Sequence, residues 1–132
     1  MSDLKALRRQ SAEMAGELFA AMGIPFEDTT ELQRQLLATF SFGMLFALGR
    51  LNKLSALEIH TLSICLLMDV FKYSDRQATA FAEDLVESAS SRGNPTTNAV
   101  IHRGIDGHLQ WQKGLTSDLR RNLEDIFRVV GA

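Results

Sequence analysis

The segment from Asp3 to Met22 carries apolar residues at Leu4, Leu7, Met14, Leu18 and Met22, with charged side chains on the other face. That is the period of an amphipathic helix, not the alternation of a strand. Gly23-Ile24-Pro25 stops it, since glycine suits the left-handed position after a helix and proline cannot continue one. Thr30 followed three residues later by Gln33 is a capping box, in which each side chain accepts a backbone N–H that the helix leaves unpaired. Ser55 with Glu58 and Ser74 with Gln77 repeat the device, and the three boxes predict helices at 31–50, 56–72 and 75–90. Gly93-Asn94-Pro95 then ends the fourth helix. Thr96 or Thr97 is expected to cap a fifth helix reaching Gln112, in which Gly104 and Gly107 each cost about 1 kcal/mol relative to alanine. Lys113-Gly114 closes it. Thr116 or Ser117 caps a sixth helix to Val129, with Leu119, Leu123, Ile126, Phe127 and Val130 on its apolar face.

No segment shows strand alternation, and there is no repeat, low-complexity tract or linker. The expected fold is all-α: a compact single domain over residues 1–132, built as a bundle of five or six helices. Helices two and three are apolar nearly all round, the pattern of buried elements. They are expected to form the central hairpin, with Phe40, Phe42, Leu45, Phe46 and Leu48 facing Leu62, Ile64, Leu66, Leu67 and Val70. The short Leu51–Leu54 connection makes that pair antiparallel. Helices one, four and six are more amphipathic and belong outside.

Composition narrows the class. A chain of 132 residues buries enough surface to fold without a metal or disulfide staple. With 45% apolar and 23% charged residues it is not intrinsically disordered. The net charge of -2 gives no basic footprint for nucleic acid. The lone Cys65 excludes an intrachain disulfide and any zinc site needing two thiolates, and among Ile64, Leu66 and Leu67 it reads as an inert core thiol. The longest weakly polar run, Leu36 to Gly49, is shorter than the roughly 20 residues that span a bilayer. Without an apolar leader either, the expected location is the cytoplasm, with no membrane partner.

The densest chemistry lies between Asn94 and Trp111, where His102, Arg103, Asp106, His108 and Trp111 accompany two glycines. On a helix His102 and Asp106 sit one turn apart and could share a metal, as in a metal-dependent hydrolase. His108 falls about 240° round the helix from His102 and cannot join them. Neither His60 nor Cys65 adds a ligand spacing, so no metal or other cofactor is expected. There is no Gly-x-Ser-x-Gly elbow and no phosphate loop, and the chain is not expected to be an enzyme. Gly104, Gly107 and Trp111 follow a three-four spacing that lets another backbone approach, from within the bundle or from a partner. Trp111 and Arg103 are residue types that anchor interfaces. On helix four, Glu83 and Glu87 lie one turn apart beside Asp84, an arrangement that repels itself and suits a basic partner. A DNA-binding helix pair at 56–90 would have only Lys72 and Arg76 as cations, so no nucleic acid is expected.

The helical layout and the run Asn-Pro-Thr-Thr-Asn-Ala-Val-Ile-His-Arg-Gly at 94–104 resemble an all-α immunity protein of bacterial polymorphic toxin systems. The resemblance implies a small cytoplasmic protein that binds a cognate protein toxin and neutralises it by steric occlusion. The residues it bears on are limited to Pro95, His102, Arg103 and Gly104. Immunity proteins against nucleases are often strongly acidic; a charge of -2 fits better with a non-nuclease toxin, or one met through the helix-four patch. The expected partner-binding residues are Arg103, Asp106, His108 and Trp111, flanked by Glu83 and Glu87. The alternative is a small homo-oligomeric helical regulator or scaffold, a homodimer that buries the rest of helices two and three across a two-fold axis.

Overall fold

The computed structural model describes residues 3–90 and 92–132. Six helices follow one another: α1 (Leu4–Met22), α2 (Glu31–Leu51), α3 (Ala56–Asp69), α4 (Asp75–Ala89), α5 (Pro95–Gln112) and α6 (Thr116–Val130), with a short 3₁₀ turn at Phe26–Asp28. There is no strand among the described residues. Asp3 caps α1 through the Ala6 N–H, and Gly23, at φ +67°, ends it. The Gly23 and Ile24 N–H groups turn back to the Ala20 and Phe19 carbonyls at 3.1 and 3.2 Å, so two last-turn acceptors are filled. All three capping boxes form, with both reciprocal bonds at 2.9–3.1 Å in each.

Two helix starts differ from the sequence reading. Asn94, not a threonine, caps α5: its side-chain oxygen accepts from Thr96 and Thr97, and Pro95 takes the first helical position, where no N–H is needed. Helix α6 begins at Thr116 with Leu115 in the cap position and no side-chain cap bond. Helix α3 stops at Asp69 instead of 72, because the chain turns through Lys72 at φ +61°.

The core takes fully buried side chains from every helix, among them Met14 and Leu18 of α1, Leu67 of α3, Leu85 of α4, Ile101 of α5 and Leu123 of α6. Helix α2 is central, with ten consecutive buried residues from Leu36 to Leu45. The hydroxyls of Thr39 and Ser41 in that stretch bond back to the Gln35 and Leu37 carbonyls at 2.8 and 2.7 Å, so burial leaves neither unpaired. The closest partner of α2 is α5, not α3. A Cβ on Gly43 would lie 2.1 Å from the Ile101 carbonyl oxygen, and one on Gly104 would lie 2.2 Å from that of Phe40. Gly107 admits the Phe40 ring, whose edge would come within 2.4 Å of a Cβ there. The two glycines that weaken α5 as an isolated helix are therefore what lets it reach α2. Helix α3 lies further out than expected: Ile64 and Val70 are half-buried, and Leu57 is 75% exposed. Its end is tied to α1 by a paired contact, with Arg8 donating to both Asp69 carboxylate oxygens at 2.8 and 2.9 Å.

Candidate partner-binding surface

The expected site residues divide among four places. Arg103 and Asp106 lie on the outer stripe of α5 and line a polar depression of about 250 Å³ against α6, shared with Gln110, Asp118 and Arg121. Arg103 is committed there. Its Nε donates to Asn122 Oδ1 at 2.6 Å, and its guanidinium reaches the Asn122 carbonyl and Asp125 at 3.4 and 3.5 Å. Asn122 in turn donates to the Arg103 carbonyl at 3.1 Å and to Gln110 at 3.2 Å. Asn122 is only 6% exposed, and it was visible in the sequence as a polar residue on the apolar stripe of α6. Asp106 is exposed beside this network.

His108 lies elsewhere, inside the bundle at 4% exposure. Burial lowers the pKa of its imidazole, which favours the neutral ring, and Trp111 packs against it with ring centroids 6.2 Å apart. Trp111 is half-buried against the core, and its indole N–H donates to the Glu17 carboxylate of α1. Arg103 and Trp111, expected as interface anchors, thus hold α5 to α6 and to α1. His102 is exposed on α5, and no group of three or more His, Cys, Asp or Glu side chains among the described residues could hold a metal. Cys65 is half-buried and not within the core proper.

Glu83 and Glu87 are exposed on α4, together with Asp84. Asp84 and Glu87 stand on the rim of the largest depression described, a groove of about 780 Å³ between α2, α4 and the start of α5. Its apolar floor comes from Leu32, Leu36, Phe81, Leu85 and Val130, none of which sequence reasoning placed at a binding surface. Glu83 sits on the opposite shoulder of α4, beside Asp75 and Arg76. Neither depression contains residues of both expected groups.

Residues 8–131 match the model of the family described as Immunity protein 48. The chain belongs to that family. The match runs from the first helix to the end of the last, far beyond the 94–104 segment that first suggested it, and it makes this an immunity protein of toxin systems. Such families are typically non-enzymatic, and membership implies a toxin partner. No curated protein and no solved structure matches the chain. Among the described residues, no helix is long and apolar enough to cross a membrane.

Within the family frame the 94–104 segment has a structural account. Asn94 and Pro95 start α5, Arg103 docks it on α6, and Gly104 admits α2.

Proposed function

We propose that the chain binds a cognate toxin protein and neutralises it by covering its active site, without catalysing a reaction itself. The observation that carries this reading is the match of residues 8–131 to Immunity protein 48. The build of the molecule supports it. Each capping box is complete, and no described buried side-chain nitrogen or oxygen lacks a partner. A surface held that firmly loses little freedom when a partner docks, and a standard interface of about 1,600 Å² can then be tight. In this reading the encounter takes place in the cytoplasm.

The test begins with affinity capture of the tagged chain from its native host and identification of the stoichiometric partner. That partner's toxin domain is then expressed in a bacterial host with and without the chain, and its purified activity is titrated. Growth restored by co-expression, with inhibition complete near one equivalent, is the expected result. A toxin domain that stays equally active at excess chain would end the proposal.

A further inference from the structure

The groove between α2 and α4 has features that a mere packing defect would not combine. Helix α4 is held by α3 and α5 and barely touches α2, so the seam between them stays open. At about 780 Å³ it falls within the range of pre-formed binding pockets, roughly 300–1,000 Å³. Its walls are fixed. Tyr73, next to the start of α4, packs edge-on against Phe81 at 5.6 Å and donates to Glu31 of α2 at 3.4 Å. At the other end Asn98 of α5 donates to the Ser88 carbonyl of α4 at 2.7 Å.

Charge tells what the groove fits. The charged side chains lining it are Asp84 and Glu87, and neither forms an ion pair with a described residue. Glu83, on the opposite shoulder of α4, lies one turn before Glu87, a spacing that disfavours the helix by itself. A second copy of this chain is a poor occupant of a groove placed on a two-fold axis, because there these carboxylates would face their own copies. Nucleic acid is repelled for the same reason. The α5–α6 depression offers less: it is smaller, and one of its two arginines, Arg103, is already bonded within the fold.

We infer that the α2–α4 groove is the toxin-docking site, and that it takes an apolar side chain of the toxin flanked by lysine or arginine. The inference rests on the immunity reading. The apolar side chain displaces water from the floor of Leu32, Leu36 and Phe81, while the cations meet Asp84 and Glu87 at the rim.

The experiment titrates the purified toxin domain, identified by capture and co-expression, against four forms of the chain: wild type, Asp84→Lys/Glu87→Lys, Leu32→Asp, and a control pair, Asp106→Lys/Arg121→Glu, on the other depression. Circular dichroism melts confirm that each is folded. Leu32 is 40% exposed and the four charged positions are all exposed, so these changes leave the core untouched. Both groove variants should bind at least about tenfold more weakly, with the control within about threefold of wild type. Wild-type affinity should also fall about tenfold between 50 and 500 mM salt, and the charge-reversed form should lose that dependence. Groove variants that bind like wild type, or loss confined to the α5–α6 control, overturn the docking site while leaving the immunity reading standing. A wild type that binds no toxin overturns both.

Discussion

His108 contributes to stability through its surroundings. Its ring is buried at 4% exposure, and burial holds its pKa below the ordinary imidazole value of about 6.5. Above that pH the ring is neutral both folded and unfolded, and stability does not depend on it. As pH falls below about 6.5 the unfolded chain takes up the proton first, so stability drops until the folded pKa is reached. Asp69, held below the ordinary carboxylate range by its hydrogen bond from Arg8, acts in a separate window starting near pH 4. The urea midpoint of the wild type should therefore be lower at pH 5.5 than at pH 7.5, and His108→Gln should shrink that difference. An unchanged pH dependence in the variant would show that other groups carry it. The position of His108 was legible in principle, since it follows Ile101 by seven residues and Gly104 by four and so shares their buried stripe. Its polar character, and the exposed Asp106 two residues away, suggested the opposite face. Asn122 posed the same conflict on α6, three residues after Leu119, and resolves it by bonding Arg103 and Gln110.

Helix ends were legible where the signal is local and chemical. A Ser or Thr three residues ahead of Gln or Glu closes its own pair of bonds whatever the rest of the chain does, and all three boxes formed. The end of α3 was not, because Lys72 adopts its left-handed conformation without a glycine to announce it. The α5 glycines show the cost of reading an element alone. Gly104→Ala should destabilise the protein by about 3 kcal/mol, since the new Cβ meets the Phe40 backbone, which cannot swing aside as a flexible side chain would. Gly16→Ala, in α1 with nothing within 4 Å of a Cβ, should instead stabilise by about 0.5–1 kcal/mol. Chemical denaturation of both variants compares them directly, and a tolerant Gly104 would mean that α2 and α5 are not in backbone contact.

Taken as a whole, the bundle was legible and its pairing was not. Hydrophobic periodicity says which face of each helix is covered but not by which neighbour, and a short connection made α2 and α3 look like the central pair. The pairing that dominates joins α2 to α5, and its cue was divided between Gly43 on one helix and Gly104 on the other. The proposed toxin surface divides similarly: residue types favoured at interfaces marked Arg103 and Trp111, whereas the groove floor consists of ordinary leucines, a phenylalanine and a valine from separate helices. Asp84 and Glu87 on α4, which form no ion pair with a described residue, also bear on self-association. Light scattering should give a mass of 14.7 kDa that does not change with concentration. A doubled mass would favour the homo-oligomeric regulator.

The α2–α5 contact also sets a schedule for synthesis. Gly43 and Gly104 are about sixty residues apart in the chain, so at roughly 5–20 residues per second the ribosome makes α2 about 3–12 seconds before the backbone that must lie against it. During that interval the ten-residue buried stretch of α2 lacks its main cover. In the proposed role, a cell that starts making toxin and antidote together gains no protection until the fifth helix has emerged. The interval favours translating this chain first.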